Sequence, residues 1–295
     1  MPHVSAARRV SLNQRWRIAA SMNRHSSPFF LCVLGLAWVV SAACAQSPQA
    51  PYTPTMGQKG KDVVWIPSPP GMVEKMLDMA RVTPRDFVID LGSGDGRNVI
   101  AAAKRGARAL GVEYNPDLVD LSRRTAASEG VADRATFVEG DMFEADLSQA
   151  TALILFLIPD NLARLAPKFF ALKPGTRIVS NTYEIGGGWE PDESERLSLC
   201  ASWCGAHLYI VPTKVAGTWR LSEGELTLEQ DFQNIYGTFE LDGVTVRIEN
   251  GRVRGDEIRF TINAVEYSAR ASGDAMAGVA TGRTTSRWTA KRTHE

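Results

Sequence analysis

The chain has 295 residues, 44% of them hydrophobic and 22% charged, with 25 Gly, 15 Pro and 4 Cys. That length buries a sizeable core in one or two domains, and the composition excludes disordered, collagen-like and disulfide-dense classes. The net charge is zero, yet residues 1–45 hold five Arg and no acid, which leaves 28 basic against 33 acidic residues in the remainder. A mildly acidic body argues against a nucleic-acid partner, since a phosphate backbone takes a basic stripe.

The first segment in chain order reads as an address. Residues 29–45, FFLCVLGLAWVVSAACA, place an apolar run after a basic stretch and before small residues. That is the layout of a secretory signal peptide, with cleavage before Gln46 and export to the periplasmic side. A retained membrane anchor, or a lipid at Cys44, is the alternative, although the run falls short of the about 20 apolar residues a span needs. Two cysteines then remain in the body, Cys200 and Cys204. An oxidising compartment favours a disulfide between them. With His207 they also spell C-x3-C-x2-H, but no fourth ligand is evident and no metal is expected.

Residues 46–61 are rich in Pro, Gln and Gly and read as a linker. Residues 62–212 alternate short apolar runs with amphipathic stretches. Strands are predicted at 87–89, 109–112, 136–138, 152–157 and 177–180, and helices at 97–105, 117–129 and 161–172. Such repetition implies a Rossmann-like, mostly parallel sheet with helices on both faces. The pattern changes near residue 213. Leu226, Leu228, Gln230 and Phe232 alternate with polar neighbours, as do Val244, Val246 and Ile248, and glycines punctuate the rest. Residues 213–295 therefore read as a small antiparallel β sandwich or barrel, with Trp219, Phe232, Tyr236, Phe239, Phe260 and Trp288 as candidate core.

The chemistry concentrates in Val88-Ile89-Asp90-Leu91-Gly92-Ser93-Gly94-Asp95-Gly96-Arg97. An apolar strand enters a Gly-rich turn and a helix follows, so backbone can approach a ligand and unpaired N–H groups can meet it. The glycines fall as G-x-G-x-G rather than G-x-G-x-x-G, and an acid precedes the first by two, which favours an adenosyl ligand other than NAD. Glu113 ends the second strand, where a carboxylate can accept from two ribose hydroxyls. Asp141 ends the third, where it can accept the adenine amine, with Met142 beside it. Three acids at the ends of three successive strands carry more weight than one glycine turn.

These residues resemble class I S-adenosylmethionine-dependent methyltransferases over about residues 62–211. Within that class, Trp65-Ile66-Pro67-Ser68-Pro69, the turn from Asp90 to Arg97, and Glu113-Tyr114-Asn115-Pro116 are similar to the small protein-lysine methyltransferase family with mitochondrial members. The resemblance implies S-adenosyl-L-methionine as cofactor and a protein substrate. It places Ser68 over the methionine end, Gly92, Gly94 and Gly96 beside the cofactor with Asp90, Asp95 and Asn115, and Glu113 at the ribose. Phe156-Leu157-Ile158-Pro159-Asp160 lacks the Asn/Asp-Pro-Pro-aromatic signature of amino-group methylation on bases or glutamine.

Because a sulfonium already carries an activated methyl, the protein's task is alignment and exclusion of water. Asp160, Asn181 and Tyr183 follow the fourth and fifth strands and are the candidate substrate-orienting residues. Trp65 and Trp189 are either pocket wall or core. The competing readings are a small-molecule methyltransferase, an exported binding module that kept the fold and interacts through its β domain, and a nicotinamide-dependent oxidoreductase, which the glycine spacing disfavours.

Overall fold

The computed structural model describes residues 52–294. The segment read as an export signal, with Cys32 and Cys44, lies outside the described residues. Helix α1 (Pro70–Met79) opens the body. The strands β1 (Phe87–Leu91), β2 (Arg108–Glu113), β3 (Ala135–Glu139), β4 (Ala152–Leu155) and β5 (Arg177–Asn181) alternate with α2 (Arg97–Lys104), α3 (Pro116–Ser128) and α4 (Pro159–Phe170). Two further strands, β6 (Glu193–Arg196) and β7 (Gly205–Ile210), complete a seven-stranded sheet in the order β3-β2-β1-β4-β5-β7-β6. The first five strands are parallel, and β7 and β6 are antiparallel to their neighbours.

Period-two alternation builds one core on each face. Val88, Ile154 and Val179 pack with α1 and α2 through Met72, Met76, Leu77, Val99 and Ala102. Ile89, Leu153, Leu155 and Ile178 pack with α4 through Leu162, Leu165 and Phe169. Both faces are covered, so the central strands read as unbroken apolar runs. The mostly parallel sheet expected from the sequence is therefore present. The hydrophobic pattern does not reveal β6 and β7, and the residues explain why. Glu193-Ser194-Glu195-Arg196 is a polar edge strand with one neighbour, and it carries no apolar signal.

At the amino edge of the sheet, one carboxylate ties three strands. Asp86, just before β1, accepts from Thr151 Oγ1 at 2.7 Å, from Thr83 N–H at 2.8 Å and from the Arg177 guanidinium. Burial pushes the Asp86 carboxyl up, but the Thr151, Thr83 and Arg177 hydrogen bonds outweigh it and hold the group below its ordinary value.

The second sheet runs from β8 (Gly217–Leu221) to β16 (Thr285–Arg292), through β9 (Glu225–Asp231), β10 (Asn234–Leu241), β11 (Val244–Arg247), β12 (Glu249–Arg254), β13 (Glu257–Ile262), β14 (Val265–Ser272) and β15 (Ala275–Thr281). Its order is β11-β10-β12-β13-β14-β15-β16-β8-β9, and β9 pairs back to β10, which closes eight strands into an antiparallel barrel with β11 hung outside as a hairpin arm. Closure removes the exposed edges an open sheet would present. Trp219, Phe239, Phe260 and Trp288 fill the interior as expected. Tyr236 is 57% exposed and is not core. Phe232 also leaves the barrel. It sits in the β9–β10 turn at φ +49 and stacks on Trp189 at 5.6 Å between ring centroids, with Phe170 edge-on at 5.2 Å. Gln233 Nε2 donates to the Glu190 carbonyl at 2.9 Å beside it. No helix among the described residues is long and apolar enough to cross a membrane.

Replacing Asp86 by Ala should cost about 3 kcal/mol, the scale for orphaning a buried ion-pair partner. A carboxyl held below its ordinary value stabilises the fold above that range and loses this as pH falls. The gap in unfolding free energy between wild type and Asp86→Ala should therefore close on acidification, as thermal melts across pH would show.

Candidate active site

The parallel strands end at one edge of the sheet, and a single cleft follows that edge. Asp90 lies within β1, Glu113 ends β2 and Asp141 follows β3, and all three line the cleft with Gly92, Gly94, Asp95, Asn115 and Met142. Ser68 closes one side, and Phe156, Leu157 and Ile158 after β4 and Tyr183 after β5 continue the wall. Acids on β1 to β3 and an apolar rim beyond β4 thus belong to one continuous pocket.

Glu113 is the hinge of this geometry. One of its carboxylate oxygens accepts the Gly94 N–H and the other accepts the Asn115 N–H, each at 2.9 Å. It binds the Gly-rich turn to the start of α3, where the Asn115 side chain caps Asp117 N–H at 2.9 Å. Gly94 has φ +56, and a Cβ there would stand 2.7 Å from Trp65 Nε1, so the indole rests directly on the turn. Trp65 is therefore wall. Trp189 is 1% exposed and is core.

Gly96 departs from its expected place beside the cofactor. It starts α2 at φ +79 and turns away from the cleft, and a Cβ there would meet the Phe137 ring at 2.6 Å and Ser122 Oγ at 2.7 Å. Its constraint is packing against α3 and β3. Two substrate-orienting candidates also fall elsewhere. Asp160 is exposed in the first turn of α4, outside the cleft lining. Asn181 is fully buried beneath the cleft, and its Nδ2 donates to Ser68 Oγ at 3.2 Å, so it positions Ser68. Tyr183 alone of the three reaches the cleft.

Asp90 is 2% exposed. Burial pushes its carboxyl well above the ordinary range; the Asn98 amide opposes this, and the neighbouring Glu113 and Asp95 charges reinforce it. Asp141 is held below its ordinary value, first by Lys61 and then by the Phe143 N–H. Lys61 Nζ meets it at 2.5 Å and lies 5.0 Å from the centre of the Tyr114 ring. Composition reads residues 46–61 as a linker, yet Gln58, Lys59, Gly60 and Lys61 line the cleft. Lys59 and Val64 pair as a β-bridge, and Gly57 N–H bonds the Trp65 carbonyl, so a small hairpin straps the opening.

The residues fit an adenosyl ligand with a polar amino-acid tail. Ser93 Oγ and Asn98 Oδ1, both on lining residues, are buried without a hydrogen-bond partner, which a native site leaves for a ligand or water. Sequence reasoning does not single out Ser93, Asn98, Lys61 or Phe156 as site residues; for Ser93 and Asn98, which flank the glycines, position in the turn is the signal available. Elsewhere, Cys200 and Cys204 form the expected disulfide. His207 is held between Ser194 Oγ at 2.9 Å and the Thr182 carbonyl at 3.3 Å. No metal-binding cluster occurs among the described residues.

Fold and cleft define an S-adenosylmethionine-dependent methyltransferase. A family model, the ANTKMT methyltransferase domain, matches residues 90–193. The chain is 42% identical over 134 residues to a protein-lysine N-methyltransferase of Saccharolobus islandicus, a match covering 44% of this chain and 83% of that protein. It is 38% identical over 121 residues to the adenine nucleotide translocase lysine N-methyltransferase of Mus musculus, covering 40% of this chain and 52% of that one. A solved RNA methyltransferase from Salinibacter ruber in complex with S-adenosyl-L-homocysteine is 41% identical, covers 51% of this chain and 96% of that chain, and has a TM-score of 0.48. The chain belongs to the protein-lysine N-methyltransferase family, spanning most of the Saccharolobus relative and about half of the mouse one.

Two outcomes follow for the acids. Glu113→Ala should weaken S-adenosylhomocysteine binding about 10- to 100-fold in calorimetry, the scale of one or two lost charge-assisted hydrogen bonds. Asp90→Asn should melt higher than wild type without ligand. A raised buried carboxyl makes the native state lose stability as pH rises past the ordinary carboxylate range, and the amide does not titrate. The melting advantage should therefore be absent in acid and grow toward neutral pH.

Proposed function

We propose that this protein transfers a methyl group from S-adenosylmethionine to the side-chain amine of a lysine in a protein substrate, on the exported side of the membrane. One observation carries the reading: the cleft that begins among the acids of β1 to β3 ends at an apolar rim after β4 and β5, in a chain 42% identical to a protein-lysine N-methyltransferase over 134 residues.

The cofactor supplies a methyl activated on a sulfonium. Glu113 is placed for the ribose hydroxyls, Asp141 and Met142 for the adenine edge, and Asp90 with Ser68 and Asn98 for the amino-acid tail. Beyond them Phe156 and Tyr183 border the space left for the acceptor. A lysine arrives as an ammonium without a lone pair. An apolar rim disfavours the charged form, lowers the amine's pKa and so presents the neutral nucleophile. Holding that nitrogen in line with the methyl, with water excluded, supplies most of what an in-line displacement needs. No dedicated base is required, and His207 is spoken for by Ser194 and Thr182.

Export is supported by the apolar segment at 29–45 and by the Cys200–Cys204 disulfide, which an oxidising compartment maintains. N-terminal sequencing of the mature chain should begin at Gln46. A chain that keeps residues 1–45 would instead be membrane-attached through that segment.

Tritiated S-adenosylmethionine, incubated with the enzyme and envelope proteins, should place label in methylated lysine after acid hydrolysis. Glu113→Ala should lower the transfer about 10- to 100-fold at limiting S-adenosylmethionine, in step with its weaker cofactor binding. Label recovered in nucleic acid or in a small-molecule fraction, with none in lysine, would contradict the proposal.

A further inference from the structure

The β6–β7 hairpin carries a feature the reaction described above does not use. Its strands pair Arg196 with Gly205, and β7 pairs Ala206 with Asn181 at the end of β5. Because β7 runs antiparallel to β5, the hairpin loop, residues 197–204, stands at the same edge as the carboxyl ends of the parallel strands. Its base is closed by Leu197 N–H on the Cys204 carbonyl at 2.9 Å, and its tip by the Cys200–Cys204 disulfide, four residues apart. Inside that five-residue ring lies Trp203, at φ +56. A bulky side chain adopts this backbone region only where its surroundings enforce it. The indole is turned onto the cleft, where it packs edge-on against Phe156 with ring centroids 6.1 Å apart.

The cleft's two ends are therefore unlike. Acids and polar atoms line the β1–β3 end, whereas Phe156, Tyr183 and Trp203 gather beyond β4. We infer that Trp203 is an acceptor-selecting wall, and that the disulfide is the device that positions it. The inference rests on the lysine-transfer reading and names what selects that substrate. A lysine's methylene chain is recognised by contact with aromatic faces, and the same rings desolvate the amine at its end, which favours the neutral nucleophile. A lysine side chain threading between Trp203, Phe156 and Tyr183 satisfies both, while a carboxylate or phosphate in that space would give up its hydration for at most the neutral donors of an indole and a phenol. Trp203 touches the acceptor; Cys200 and Cys204 are positioning residues that act through it.

The test separates cofactor site from acceptor wall. The full chain is titrated calorimetrically with S-adenosylhomocysteine and with an analogue that carries an aminobutyl arm at the position of the transferred methyl. Wild type should bind the armed analogue at least tenfold more tightly than S-adenosylhomocysteine. In Trp203→Ala, in Cys200→Ser/Cys204→Ser, and in wild type reduced by a phosphine, that advantage should fall below twofold while affinity for S-adenosylhomocysteine stays within twofold of wild type. Trp203→Phe should restore part of it, and combining Trp203→Ala with the double cysteine change should add no further loss. Reduction of the folded wild type guards against a cysteine variant that fails to fold. An advantage retained in Trp203→Ala, or absent from wild type that binds S-adenosylhomocysteine, would overturn the inference and leave the cofactor reading standing. Wild type that binds neither ligand would remove both.

Discussion

The Glu113 carboxylate spends both oxygens on backbone N–H groups, one in the glycine turn and one at the head of α3. The glycine turn, the head of α3 and the strap above them meet at that clasp. It fixes the left-handed Gly94 under the Trp65 indole, which in turn seats the 57–65 hairpin across the opening. It places a third acid near Asp90, whose burial already resists ionisation. A site prepared in this way for a cationic ligand holds unfavourable charge until the ligand comes, and stability and function pull in opposite directions at Asp90.

The barrel adds a second constraint, away from the cleft lining. Phe232 departs from the barrel face to stack on Trp189, and Gln233 holds the Glu190 carbonyl. These contacts fall on the segment that follows β5, the segment that also carries Tyr183. Asp192, at its end, accepts from Ile210 N–H at 2.7 Å and lies 3.7 Å from Arg252 of the barrel. The barrel interior is filled by large aromatic side chains, so its contribution at this boundary is a packed surface.

Much of this is legible in the sequence, for identifiable reasons. The five parallel strands announce themselves as buried apolar runs, and their carboxyl ends locate Asp90, Glu113 and Asp141. The glycines read correctly as a turn but not in their individual duties. Gly94 faces the cleft and Gly96 faces Phe137, a difference set by tertiary packing. Asp160 and Asn181 follow strands as catalytic residues often do, yet α4 carries the first outward and the sheet buries the second. Lys61 and Trp203 are illegible because each reaches the cleft through a long-range pairing, with Asp141 and with Phe156, that no local pattern encodes. Phe232 fits the alternation of β9 and still belongs to another core, since its own φ of +49 breaks the period at the turn.

A crystal structure of the chain with bound S-adenosylhomocysteine tests the central claim most directly. The account predicts ribose hydroxyls on Glu113, adenine beside Asp141 and Met142, and the thioether sulfur facing the space bounded by Phe156, Tyr183 and Trp203. A ligand whose sulfur points away from that rim, or whose ribose does not touch Glu113, would contradict it.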